Sequence, residues 1–257
     1  MSVDGTPPLG GAAEELRGAA EELRGALRSA ADPVRAGQQR AYLRSELCHL
    51  GVGVPELRAT VTATRRRLGA LPGPEVRALA RDLWSAPGGS AEAAGPVPVY
   101  EYRRAAVEVL VQYAAALDAG DLGEVGELLR ECGTWALVDP LAVHCAGAVA
   151  LRDPAAGAVL DRWIEDPCFW LRRSALLALL PAIRAGRPDT ARLLRHADAL
   201  VDEREFFLRK ALGWVLRETS LRDPRLVLEW LERHGSRVAP LTRREALRRI
   251  GPDAAGG

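Results

Sequence analysis

The 257-residue sequence predicts an all-α fold, a right-handed solenoid of HEAT-like two-helix repeats with one concave face. Three observations predict it. Apolar residues recur at helical spacing along most of the chain, and no segment of convincing length alternates apolar and polar as a half-buried strand does. Three segments resemble one another: Tyr102-Arg-Arg-Ala-Ala-Val-Glu-Val-Leu110, Leu171-Arg-Arg-Ser-Ala-Leu-Leu-Ala-Leu179 and Leu208-Arg-Lys-Ala-Leu-Gly-Trp-Val-Leu216. Their starts lie 69 and 37 residues apart, two steps and one step of a single period. Hydrophobic residues make up 48% of the chain, enough for a continuous packed core rather than a disordered segment. Helices of such repeats cannot bury their apolar faces alone, so neighbours stack.

The elements follow in order. Residues 1–11 are rich in Gly and Pro and are expected to be disordered, as are 252–257. Residues 12–251 form a single repeat domain. From Ala12 to about Ala31, Leu16, Leu23 and Leu27 share one stripe, while the Glu14-Glu15 and Glu21-Glu22 pairs face solvent. Asp32-Pro33 reads as an N-cap followed by Pro at the first helical position. Arg40 to His49 continues as helix, and Gly51-Val52-Gly53-Val54-Pro55 breaks it. Further helical patterns run at about 55–69, 74–84, 101–118, 121–131, 134–150, 154–164, 168–184, 188–201, 203–218, 223–234 and 241–250. One stretch, Pro87 to Val99 (PGGSAEAAGPVPV), departs from this rhythm. It reads as an exposed loop or short hairpin between helices, either functional or a tolerated surface insertion.

Composition excludes several classes. The formal net charge of +1 gives no bulk attraction for a polyanion, although patches matter more than totals. The cations are 34 Arg and one Lys, Lys210, a bias that a GC-rich genome explains and that also supplies planar guanidinium forks suited to phosphate. Cys48, Cys132, Cys145 and Cys168 are scattered without a C-x-x-C pair, which argues against a disulfide framework. His49, His144, His196 and His234 have no H-x-x-x-H spacing, so no metal is expected. No apolar run approaches a membrane span, and the first residues lack the basic and apolar regions of a signal peptide, so a cytoplasmic, nucleoid-associated location is expected.

The repeat places Arg104, Arg173 and Lys210 at one equivalent position, which in a solenoid projects onto one surface. A basic residue repeated there builds a stripe that tracks a nucleic-acid backbone, or three solvated charges at helix starts. Trp135 and Asp139, four apart, share a helix face. Trp214 sits in the third repeat segment with Lys210 at −4 and Arg217 at +3, a face flanked by cations. Each Trp taken alone is more often core than site. Asp139-Pro140 is also the pattern of an N-cap followed by Pro at the first helical position.

Longer segments carry a resemblance. They are Tyr42-Leu-Arg-Ser-Glu-Leu-Cys-His-Leu-Gly-Val-Gly-Val-Pro55, Trp135-x-x-x-Asp139, Phe169-Trp-Leu-Arg-Arg173, Glu205-Phe-Phe-Leu-Arg-Lys-Ala-Leu-Gly-Trp-Val-Leu-Arg-Glu218 and Pro240-Leu-Thr-Arg-Arg-Glu-Ala246. In this order, from about residue 40 to 250, they resemble the AlkD-type HEAT-like-repeat alkylpurine DNA glycosylases. The resemblance implies a concave face that binds double-stranded DNA, and a site where Trp135, Asp139 and Trp214 gather around one deoxyribose. It implies phosphate contact by Arg173 and a place near the DNA for Tyr42, and Lys210 and Arg104 from the repeat stripe, with Arg217 and Arg243, are expected as further DNA contacts. It implies hydrolysis of the glycosidic bond of N3- or N7-alkylated purines without base flipping, bulky genotoxin adducts being within reach, by a monomer that needs no cofactor. Pro140 after the Asp and the 87–99 loop depart from the family pattern. A lyase step needs an amine nucleophile, and the lone Lys210 falls in the phosphate stripe, so a monofunctional enzyme is expected. The rival readings are a catalytically silent DNA-binding relative and a HEAT scaffold for protein–protein contacts.

Overall fold

The computed structural model describes residues 9–87 and 97–250. The chain divides into two compact units, the first ending at Leu117 and the second starting at Asp118. Among the described residues all regular structure is helical, and extended pairing is confined to two isolated bridges, Cys48 with Val99 and Pro87 with Pro98.

The first unit holds α1 (Leu9–Ser29), α2 (Pro33–Leu43), α3 (Val54–Leu68), α4 (Gly73–Ser85) and α5 (Tyr100–Gln112). The apolar stripe of α1 is buried as its spacing requires, Leu16, Leu23 and Leu27 together with Ala19 and Ala20. The helix starts at Leu9, so residues 9–11 are helical rather than disordered, and residues 1–8 and 251–257 lie outside the described residues. Asp32 caps α2, its carboxylate accepting from the backbone N–H of Val34 and Arg35, both at 3.0 Å.

The expected helix to His49 ends at Leu43 instead, because Arg44 turns left-handed (φ 48°, ψ 44°). The segment that follows is fastened to α5: Leu50 and Gly51 donate their backbone N–H groups to the carboxylate of Glu101, at 2.8 and 2.7 Å. Glu101 is fully buried, and burial raises its pKa against the pull of those N–H groups. The ends of the Pro/Gly-rich loop close on each other through the Pro87–Pro98 bridge. Residues 88–96 lie outside the described residues. The helix expected over 101–118 stops at Gln112 and is followed by a short 3-10 turn, Ala114–Ala116.

The second unit holds α6 (Leu122–Glu131), α7 (Trp135–Pro140), α8 (Gly147–Arg152), α9 (Ala156–Trp163), α10 (Phe169–Leu177), α11 (Leu180–Arg184), α12 (Thr190–Ala199), α13 (Phe206–Ser220), α14 (Pro224–His234) and α15 (Pro240–Leu247). At its centre is α10, packed against α6, α7, α9, α12 and α13. Leu171, Ser174, Ala175 and Leu176 of α10 are wholly buried, as a helix surrounded by others requires. Pro181 splits the helix expected over 168–184 into α10 and α11. The repeat is visible in helix register: the three similar segments each begin at the third residue of their helix, Tyr102 in α5, Leu171 in α10 and Leu208 in α13. Gly213 lets α15 approach α13 closely, since a Cβ there would stand 2.6 Å from the Glu245 Cβ and 3.0 Å from the Thr242 carbonyl.

The stretch expected as one helix over 134–150 is continuous but not regular. Pro140 lies inside it, and Leu141–Ala146 form a π-helical turn between α7 and α8. Proline has no N–H to give the Ala136 carbonyl, and the wider turn absorbs the interruption without ending the helix. Asp139 is therefore an interior helical residue and not an N-cap. The cap of α7 is Thr134, whose hydroxyl accepts from the Ala136 N–H.

Candidate active site

The arrangement starts from Arg173, in the first half of the central helix α10. Its side chain is 4% exposed. A guanidinium removed from water needs its N–H groups paired, and three of them are. Nε donates to Asp139 Oδ1 at 2.7 Å and one terminal nitrogen to Asp139 Oδ2 at 2.8 Å, a two-pronged ion pair from α10 to α7. The other terminal nitrogen donates to the backbone carbonyl of Phe207 on α13. The Phe207 ring lies under the guanidinium, 6.0 Å from centroid to Cζ, and packs on Trp170 at 5.2 Å. One buried cation thus ties together α7, α10 and α13, the helices that carry Asp139, Arg173 and Trp214.

The Asp139 side chain is 19% exposed, so one edge of its carboxylate meets solvent while both oxygens are fixed by Arg173. Trp135 stands one turn earlier on the same face of α7 and is half-buried. On α13, Trp214 follows Phe207 by seven residues, two turns and ~10 Å along the axis on the same side. It too is half-buried, and its indole N–H donates to Glu218 Oε1 at 3.4 Å. Glu218 takes a second hydrogen bond, from Arg184 Nε on α11 at 2.9 Å. Burial pushes the Glu218 carboxyl up, but Arg184, the indole N–H and nearby Arg217 together hold it below the usual glutamate range. Beside this pair opens a surface cavity of about 550 Å³, lined by Arg217, Glu218, Leu221, Arg248 and Arg249.

The cations are arranged differently from the repeat-derived expectation. Arg173 and Arg104 do not form a solvent-facing stripe with Lys210. Arg104 is 6% exposed, 3.6 Å from the equally buried Glu108 on its own helix, and burial lowers its pKa. Arg173 is engaged with Asp139 in an internal ion pair. Equivalent repeat positions share a register, but α5 and α10 are covered there and α13 is not. Lys210 alone of the three is exposed, its Nζ 5.9 Å from the Phe206 ring centroid.

Arg217 donates to Glu245 on α15 at 2.6 Å, so the Trp214 face is less cationic than its sequence flanks suggest. Arg243 serves the C-terminal end of α14, donating to the carbonyls of Leu231 and Gly235 at 3.2 and 2.9 Å, and is a helix-end clasp in this structure. Tyr42 belongs to the first unit, at the end of α2, and is 75% exposed.

Sequence reasoning missed Phe207, Glu218 and Glu245. All three lie within the quoted motifs, and Glu218 and Glu245 each close an ion pair that only the folded helices bring together. Among the described residues no helix is long and apolar enough to cross a membrane, and no group of three or more His, Cys, Asp or Glu side chains is gathered as a metal set.

Comparison with known proteins extends these observations. Residues 23–250 match a family described as DNA alkylation repair enzyme. A structure from Enterococcus faecalis, described as a predicted DNA alkylation repair enzyme, is 20% identical with a TM-score of 0.73, over 86% of this chain and 97% of that one. The structure of AlkD2 from Streptococcus mutans is 18% identical with a TM-score of 0.58, over 84% of this chain and 99% of that one. At these identities the likeness is one of fold, the all-helical repeat architecture. A search of curated protein sequences finds no match.

Proposed function

The chain belongs to the DNA alkylation repair enzyme family, and from that premise we propose that it is a monofunctional DNA glycosylase that hydrolyses the bond between deoxyribose and an N3- or N7-alkylated purine in duplex DNA. The observation that carries the reading is the Asp139 carboxylate, held rigid by buried Arg173 on a face shared with Trp135.

Alkylation at N3 or N7 makes the purine cationic, so the base departs with the electron pair of the C1′–N bond as a neutral molecule. Positive charge develops on the sugar. Asp139 supplies a fixed negative charge for it and orients the water that adds to C1′, the water's proton passing to solvent. The products are the free base and an abasic site. An indole face stabilises a cation by about 0.5–2 kcal/mol, and Trp135 and Trp214 offer two. Since the lesion carries its own activation, no strong general acid is required.

Arg173 keeps Asp139 at one angle, which matters because a fixed dipole or charge stabilises the transition state without reorganising. The half-buried indoles suit a sugar engaged while its base stays stacked, a mode that accepts bulky adducts. The cations that meet the backbone are the accessible ones, with Lys210 first among the residues named from sequence.

The test is release of free 7-methylguanine from duplex DNA under single-turnover conditions, with Asp139→Asn and Trp135→Ala beside the wild type. Release by the wild type and its loss in both folded variants is expected. Tight DNA binding without release would replace this reading with that of a silent binder, and flow-through on a DNA column with that of a protein scaffold.

A further inference from the structure

Trp214 is surrounded by charge that its proposed role must overcome. Two arginines neighbour it, Arg184 from α11 and Arg217 one turn along α13. An unbalanced cation beside an indole opposes a second cation at the ring face. In the structure each is answered by a carboxylate, Arg217 by Glu245 at 2.6 Å and Arg184 by Glu218 at 2.9 Å. Glu218 does more than neutralise, because its other oxygen takes the Trp214 indole N–H at 3.4 Å. A carboxylate on the N–H edge fixes the plane of the ring and polarises it, placing more negative charge on the face. The Glu218 side chain is 20% exposed, so this charge is only partly screened by water.

We propose that Glu218 is a positioning residue for glycosidic bond cleavage: it orients the Trp214 indole by its N–H edge and, by polarising the ring through that N–H, strengthens the hold of Trp214 on the developing sugar cation. The proposal rests on the reading of Trp214 as part of the sugar site. Glu218 touches no reacting atom and acts only through the indole. A residue acting that way changes the rate of the bond-breaking step and leaves DNA binding nearly unaltered. Its effect disappears when the indole N–H is removed.

The experiment is a double-mutant cycle on Glu218→Gln and Trp214→Phe, read by single-turnover release of 7-methylguanine at saturating enzyme, by DNA Kd and by thermal melting. Glutamine keeps the shape and removes the charge, and phenylalanine keeps a ring face without the N–H. In the wild-type background Glu218→Gln is expected to slow release about tenfold, equivalent to ~1.4 kcal/mol, with Kd changed less than about twofold. In the Trp214→Phe background the same change is expected to slow release less than about twofold. An equal loss in both backgrounds, no loss in either, or a loss carried by Kd overturns the proposal.

Should Glu218→Gln fail to fold, Glu218→Asp supplies the second reading. It keeps the charge, shortens the reach and must likewise lose its effect beside Trp214→Phe, an effect independent of Trp214 overturning the idea. Absence of free-base release by the wild type sinks the glycosylase reading and this proposal with it. Normal release by both the wild type and Glu218→Gln sinks this proposal alone.

Discussion

The Asp139–Arg173 pair makes a prediction about stability that is separate from catalysis. Arg173 is 4% exposed and Asp139 19%, so the two partners are unequally able to survive alone. Asp139→Asn leaves a guanidinium without its counter-charge in a place water scarcely reaches. Removing one partner of a buried ion pair costs about 3–5 kcal/mol, and the partial exposure of Asp139 brings this to about 2–4 kcal/mol. For a chain of this size that lowers Tm by roughly 5–15 °C. Arg173→Met leaves a carboxylate that can rotate its exposed edge into water, and lowers Tm less. Asp139→Asn/Arg173→Met removes both charges and should recover at least half the stability lost in Asp139→Asn.

Activity should follow a different order. Both variants that lack the carboxylate lose about 10²–10³-fold in base release, the scale of a deleted charge-stabilising group. Arg173→Met keeps the charge but not its orientation and loses about tenfold. The assays are thermal unfolding by circular dichroism and single-turnover release at a temperature where all variants are folded. An Asp139→Asn protein as stable as wild type, or strictly additive losses in the double variant, would refute the argued coupling.

Three further outcomes follow from named contacts. Gly213→Ala forces its Cβ against Glu245 and the Thr242 carbonyl, so α15 must shift, at a cost of about 1–3 kcal/mol by melting; an unchanged Tm would show that α15 yields freely. His196 is buried with its Nδ1 unpartnered, and burial, opposed by its contact with Asp161 at 2.9 Å, lowers its pKa below 6.5. Stability from this group is therefore complete above pH 6.5 and declines as pH falls toward the depressed folded value, while Asp161, held at about 2, adds its own loss only below pH 3.8. His196→Gln should flatten the decline below pH 6.5 in a pH series of urea midpoints, and an equally steep decline would rule out His196 as its source. Lys210→Ala should weaken DNA binding and reduce the slope of log K against log salt by about 1, without affecting borohydride trapping, which is expected to be nil. Trapped enzyme–DNA adduct lost on Lys210→Ala would instead indicate a lyase.

The sequence made the helices legible because each depends on local information. The N-cap at Asp32, the apolar stripe of α1 and the register of the three similar segments all rest on residues a few positions apart. Boundaries failed where longer-range contacts decide them. The end of α2 at Leu43 goes with the fastening of the following segment to Glu101, about fifty residues on, and no periodicity in 40–49 announces that. Pro140 misled for another reason. Its lack of an N–H fits a helix start as well as a helix interior, and the sequence does not show that a π turn lets the helix over 134–150 run on through it.

The candidate site shows the same division. The spacing of Trp135 and Asp139 settled that they share a face, and the repeat settled that Arg104, Arg173 and Lys210 share a position in their helices. What a shared position cannot encode is whether the next helix covers it. Two of those cations face protein and one faces solvent, so a single repeat position supplies a buried ion-pair partner at Arg173 and a surface charge at Lys210. A buried guanidinium needs acceptors from other helices, and the acceptors of Arg173 lie 34 residues away in both directions, at Asp139 and at Phe207. That distance is close to the repeat period itself. The period that stacks the helices thus also brings these acceptors to the central arginine, and the rigidity of Asp139 is a product of the repeat rather than an addition to it.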